Sequence, residues 1–308
     1  MNLLGIVESV NSFTYGEKPN DLYILRSHDG KQPLGYVVPD VAKELNKFPN
    51  VFQVDDDLVQ IKISSNLDTI EKRNRGFKEV ADSLNESGFI KGWRNELFII
   101  HYPAHEPYVY LERAFSPLLG IVMYGIHANC YIPKELSSTG EIQFWIPRRS
   151  KTKSTHPGML DNTVGGGLGH PFGVFDTLIK ESEEEAGLER SFVKKNAKAV
   201  GTVSYTLCDK QFNYGYELGL IQPEVQYIYD IPCDESIVPK PNDNEVECFH
   251  LMSFEEVWTN LLDEQFKPSC ALVIIDFLTR HGFVNSENEP DYVEILAKLH
   301  RLPPFPLR

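Results

Sequence analysis

Residues 162–188 read Asn-Thr-Val-Gly-Gly-Gly-Leu-Gly-His-Pro-Phe-Gly-Val-Phe-Asp-Thr-Leu-Ile-Lys-Glu-Ser-Glu-Glu-Glu-Ala-Gly-Leu, and few folds can accept them. Five glycines precede a helical periodicity over 174–186, and Gly187 stands where a left-handed C-terminal cap belongs. At about 100° per residue Glu181, Glu184 and Glu185 share one side, while Phe175, Leu178, Ile179, Ser182 and Ala186 share a packing side. Like charges at i, i+3 and i+4 repel, and the last turn of a helix prefers cations. The acidic side therefore needs compensation. A hard divalent cation, Mg²⁺ or Mn²⁺, suits clustered carboxylates and completes its shell with water and substrate phosphate. Glycines at 165, 166 and 167 let backbone approach a ligand unobstructed.

A solvated acidic face is the ordinary reading of a bare glutamate run. Glycine stretch, helix and cap together argue for more. The stretch lacks the Gly-Lys-Ser/Thr of a phosphate-cradling Walker loop, and His170 stands where the third glycine of GxGxxG belongs, so neither nucleotide fingerprint applies.

Composition narrows the partners. A formal charge of −14 from 44 acidic and 30 basic residues opposes general nucleic-acid binding. The longest apolar runs, 118–123 and 271–278, fall short of the ~18 residues of a membrane span. Five cysteines, none in CxxC, signal neither a disulfide framework nor zinc and are expected only to pack. With no basic-apolar leader or Arg-rich transit pattern at the start, the expected address is cytoplasmic.

At 308 residues two domains are expected, a smaller α+β unit over 1–116 and an α/β unit over 117–308. In the first, Phe77, Val80, Ala81 and Leu84 mark a helix, and 22–25 and 59–63 alternate as strands. In the second, strand composition at 120–132, 143–146, 162–164, 200–205 and 225–231 interleaves with helices, the signature of layered α/β structure. Ser253 with Glu256 forms a capping box, and 269–281 is an apolar-faced helix stopped by Gly282.

The segment resembles the box of the Nudix hydrolases: Gly, five residues, Glu, seven residues, Arg-Glu, an aliphatic, any residue, Glu-Glu, any residue, Gly, an aliphatic. From Gly166 to Leu188 the register holds, with Gly166, Glu181, Glu184, Glu185, Gly187 and Leu188 matching. Phe172 replaces the first glutamate, Lys180 the arginine and Ser182 the aliphatic. Lys180 supplies the charge without the arginine's planar fork. Residues 145–164, 180–186 and 223–230 further resemble the thiamine-pyrophosphokinase-related Nudix proteins, which carry an N-terminal domain of unknown function. That resemblance implies an α/β/α sandwich with a mixed sheet, and hydrolysis of a small-molecule diphosphate to monophosphate plus phosphate. It also implies the substrates, oxidised or damaged thiamine diphosphate derivatives.

The candidate site follows. Glu181, Glu184 and Glu185 bind the metal; Glu184 or Glu224 takes the proton of the attacking water; Arg148, Arg149, Lys151 and Lys153 gather the diphosphate, with Gly166 at the phosphate. Glu245 and Glu247 compete with Glu224 as a further carboxylate. His156 and His170 are candidate substrate contacts, and Phe212, Tyr214 and Tyr216 a candidate stacking surface. Two rivals remain: proton-shuttling isomerisation of an allylic diphosphate, as in the isopentenyl diphosphate isomerases, for which the glycine stretch lacks a cysteine, and a non-catalytic ligand-binding domain.

Overall fold

The computed structural model describes residues 1–14, 21–153, 155–208 and 219–308, so Phe212, Tyr214 and Tyr216 lie outside the described residues. Helix α1 spans Leu3–Val10, and a four-stranded sheet follows from β1 (Tyr23–Arg26), β2 (Pro33–Val37), β3 (Phe52–Asp55) and β4 (Gln60–Ile63), in the order β2-β1-β4-β3. Helix α2 (Pro39–Leu45) links its halves, and α3 (Ile70–Glu86) packs beside it. A hairpin of β5 (Leu97–His101) and β6 (Pro107–Glu112) leads into the short α4 (Ser116–Leu119). The α3 face is the one its periodicity specifies: Phe77, Val80, Ala81 and Leu84 are all buried. They join Leu25, Phe52, Ile61, Phe115 and Leu119 in one core.

The larger sheet contains β7 (Met123–Ile132), β8 (Gln143–Arg149), β9 (Val164–Gly167), β10 (Lys198–Leu207), β11 (Gln222–Pro232) and β12 (Val246–Ser253), ordered β10-β11-β7-β8-β12 with β9 also on β7. It is mixed: β7 runs parallel to β11 and antiparallel to β8 and β9. Strand alternation sorts its faces. Ile126, Ala128, Cys130 and Ile132 pack with Leu178, Ile179 and Ala186 of α5 (Val174–Ala186) and with Val193 of α6 (Arg190–Asn196). Tyr131, Ile228 and Val203 pack on the other side against α8 (Pro268–Arg280), flanked by α7 (Phe254–Leu262) and α9 (Tyr292–Leu299). Helices on both faces of a mixed sheet make the expected α/β/α arrangement.

Helix α1 packs on this second core, through Leu3, Ile6, Val7 and Val10, rather than on the sheet that follows it in sequence. The boxed cap of α7 forms in both directions, Ser253 accepting from Glu256 N–H and Glu256 accepting from Ser253 N–H. Gly187 caps α5 at φ 61°. Among the described residues no helix is long and apolar enough to cross a membrane.

Candidate active site

The site arises where β7 changes partners. β8 pairs with β7 only at Tyr131 and Ile132, and β9 takes over the same edge at Gly125–Ala128, so β8 and β9 splay apart. The cleft between them is lined by Pro147 and Arg149 of β8, Asp161, Asn162 and Thr163 ahead of β9, Lys153, Glu185, Glu245 and Val246.

The three glutamates of α5 have different surroundings. Glu185 is half-buried, and its Oε2 accepts the Gly165 N–H at 2.9 Å. Burial pushes its carboxyl well above the usual range, against the pull of that hydrogen bond, and Asp161 adds to the rise. Among the described residues it has no ion-pair partner. Glu181 lies against Gly166, where a Cβ would come within 2.5 Å of its Cγ. Burial raises its pKa too, opposed by Lys180. Glu184 is half exposed, and Lys180 Nζ bridges it at 2.7 Å to Glu181 at 3.0 Å. Burial alone would lower the Lys180 pKa; its hydrogen bonds to both glutamates raise it instead. The lysine in the arginine's place thus reaches two carboxylates of the box.

The expected packing face of α5 holds for Leu178, Ile179, Ser182 and Ala186, with Thr177 buried as well. Phe175 departs from it, remaining 37% exposed. The glycines at 165–167 form strand β9 rather than an open loop. Their missing side chains make room for protein atoms: His127 at Gly165, Glu181 at Gly166, Arg113 and Phe98 at Gly167. Gly166 therefore serves first as the backing for a carboxylate.

The cations near the cleft are paired. Arg149 donates from Nη1 to Asp161 Oδ2 at 2.5 Å, from Nε to the His156 carbonyl and from Nη2 to the Thr155 carbonyl. Lys153 donates to Glu245, and Lys151 stands 3.9 Å from Glu247. Arg148 donates to the Gly158 carbonyl. The structure brings Arg149, Lys153, Glu185 and Glu245 to one cleft. Glu224 is elsewhere, accepting from Tyr205 Oη at 2.7 Å and Gln226 Nε2 at 2.6 Å. Glu245 lines the cleft with Glu185. His170 contacts the Tyr110 ring, centroids 4.5 Å apart, outside the cleft.

Sequence reading missed a buried network under the cleft. Asp161 Oδ1 accepts from Cys270 Sγ at 2.6 Å and from Asn162 N–H at 2.8 Å. Ligand atoms of His127, Asp161 and Cys270 lie within 4.8 Å of one another. Burial works to raise the Asp161 pKa, but the Lys267 and Arg149 cations hold it well below the usual carboxylate range. His127 is driven down to about 4, by burial first and Lys267 second, and is neutral at pH 7. A cation entering here would meet charge already balanced by Arg149 and Lys267. No local signal marks the group, because Asp161 and Cys270 are 109 residues apart.

The donor set of α5 does fit a divalent metal. Its ligands are hard oxygens, and the half-buried Glu185 carboxylate has no ion pair among the described residues.

The chain resembles known proteins along most of its length. Residues 135–271 match the family described as NUDIX domain, and residues 11–123 match a domain of unknown function (DUF4743). An uncharacterized protein of Saccharomyces cerevisiae is 42% identical over 296 residues, covering 92% of this chain and 85% of its own. Nudix hydrolase 20, chloroplastic, of Arabidopsis thaliana is 35% identical over 307 residues, covering 97% of this chain and 78% of its own. The chain belongs to the Nudix hydrolase family. Nudix hydrolase 24, chloroplastic, of the same plant is 35% identical over 272 residues, with 87% and 70% covered. The Nudix assignment carries the class of chemistry expected from the box, hydrolysis of a phosphoric anhydride.

Proposed function

We propose that this Nudix protein is a Mg²⁺-dependent hydrolase that cleaves a small-molecule diphosphate to monophosphate plus phosphate, with oxidised or damaged thiamine diphosphate derivatives as substrates. The observation that carries the reading is Glu185, a half-buried carboxylate with no ion pair among the described residues, opening on the same cleft as Arg149 and Lys153. The substrate assignment rests on the resemblance of residues 145–164, 180–186 and 223–230 to the thiamine-pyrophosphokinase-related members.

Glu181, Glu184 and Glu185 would hold Mg²⁺, with Mn²⁺ as a substitute. When bound, the ion supplies phosphate charge neutralisation and a more acidic water. Gly165 orients the Glu185 carboxylate through its N–H, and Lys180 holds Glu181 and Glu184 in register. Glu184, the exposed member, is placed to accept a proton from water. Glu224, the other candidate base, is committed to Tyr205 and Gln226. Lys153 and Arg149 border the cleft as diphosphate contacts, Lys153 by exchanging Glu245 for phosphate; Arg148 would act from the rim.

A panel of thiamine, nucleoside and isoprenoid diphosphates, with products identified, tests this. Mg²⁺-dependent phosphate release should be fastest on a thiamine diphosphate derivative and should fall at least about 100-fold in Glu184→Gln, the scale of general-base catalysis. Release by no diphosphate, or wild-type turnover in the variant, would refute the corresponding part.

A further inference from the structure

The N-terminal region reaches the box strand. The His170 N–H donates to the Leu97 carbonyl at 2.8 Å, tying β5 to the segment leaving β9. The Arg113 N–H donates to the Glu96 carbonyl at 2.8 Å, and Arg113 Nη1 pairs with Glu96 Oε2 at 2.8 Å, so two bonds fix this pair. The pair lies on β9 and the turn after it. A Cβ at Gly167 would stand 3.0 Å from Arg113 Cζ, and one at Gly169 only 2.1 Å from Glu96 Oε1. Glycine at 167 and 169 thus lets the Arg113 and Glu96 side chains lie directly on this backbone.

Strand β9 also carries the contacts that place the glutamates of α5. Gly165 donates to Glu185, and Gly166 backs Glu181. Three consecutive residues, Gly165, Gly166 and Gly167, run from the glutamate contacts to the N-terminal contacts. Gly167 is joined directly to the residues that meet Glu181 and Glu185, so side chains that hold Gly167 in place also limit where Gly166 and Gly165 can lie. Arg113 has the geometry for such a brace: its guanidinium packs 5.3 Å from the Phe98 ring centroid while its Nη1 is held by Glu96.

We propose that Glu96 and Arg113 are positioning residues of the hydrolytic site, bracing β9 so that Glu181 and Glu185 are aligned for the metal, and that this is a working role for the N-terminal region. The inference rests on the metal site described under Proposed function.

The test is a Mn²⁺ titration of the full chain followed by electron paramagnetic resonance of free Mn²⁺, beside thermal unfolding. Variants are Arg113→Ala, Arg113→Lys and Glu96→Ala with Arg113→Ala. A direct outer partner of a metal ligand is worth about 10–100-fold in affinity; Arg113 and Glu96 act one step further out, through β9, so a fall of about 10-fold is expected in the alanine variants with an unchanged melting temperature. Arg113→Lys retains charge and most of the stem, so it should recover part of the affinity. Wild-type affinity in the alanine variants would overturn the proposal. So would affinity and melting temperature falling together, equally in the lysine and alanine variants, since that is a packing role. Absence of Mn²⁺ binding by the wild-type chain would refute the metal site itself, whereas binding that the variants leave unaltered would refute only the brace.

Discussion

Replacing Arg149 with Met should be costly to stability, for a reason visible beneath the cleft. The side chains of Arg149 and Asp161 are only 10% and 15% exposed, so the pair is effectively buried. Truncating Arg149 leaves the Asp161 charge with Lys267 alone, and breaking a buried pair typically costs about 3–5 kcal/mol. At about 2 °C per kcal/mol for a chain of this size, the melting temperature should fall by about 6–10 °C. Adding Asp161→Asn and Lys267→Met removes the remaining charge together with its second cation, while the introduced amide preserves an acceptor for Cys270 and the Asn162 N–H. The triple variant should therefore melt above Arg149→Met. The pH dependence follows from the sign of the shift: Asp161 is held below its unfolded value of about 3.9, so its contribution is full above that pH and is lost as pH falls through the folded pKa. Arg149→Met raises that folded pKa, so the gap between variant and wild type should narrow below about pH 4. Thermal unfolding from pH 3 to 8 measures all three effects. A change under about 2 °C at pH 7, or a triple variant less stable than the single, would show that these charges are not acting as a buried, coupled unit.

Two further outcomes are specific. Gly166→Ala would place a methyl 2.5 Å from Glu181 Cγ, so turnover should fall about 10–100-fold while the melting temperature stays within about 3 °C; unchanged phosphate release would remove Gly166 as the backing of Glu181. The Cys270 thiol, pushed up to about 12 by burial and then by Asp161, should resist a thiol reagent at pH 8 in the folded chain, and mass spectrometry locating early modification at Cys270 would contradict its environment.

The local part of this molecule was legible in its residues, and the convergent part was not. Helix α5 runs over Val174–Ala186 with its cap at Gly187, because periodicity and a left-handed glycine are properties of neighbouring residues. The Ser253–Glu256 box is equally local. The stretch 165–167 was open to a different interpretation: absent side chains suggest room for a ligand, yet His127, Glu181, Arg113 and Phe98 fill that room from other elements. Nothing near the glycines announces those neighbours. The four cations at 148–153 suggested a free anion site for the same reason, whereas Asp161, Glu245 and Glu247 arrive by folding to meet three of them. Phe175 satisfies the helical period of the packing face and still remains exposed, since period fixes direction and only tertiary structure fixes what lies there.

The central claim is that the glutamates of α5, and not the His127–Asp161–Cys270 group, hold the catalytic metal. Anomalous diffraction from a crystal of the full chain soaked in Mn²⁺ addresses it directly. A peak bonded to carboxylate oxygens of Glu181 or Glu185 is the result expected. A peak at Cys270 and His127 with none at α5 would contradict it.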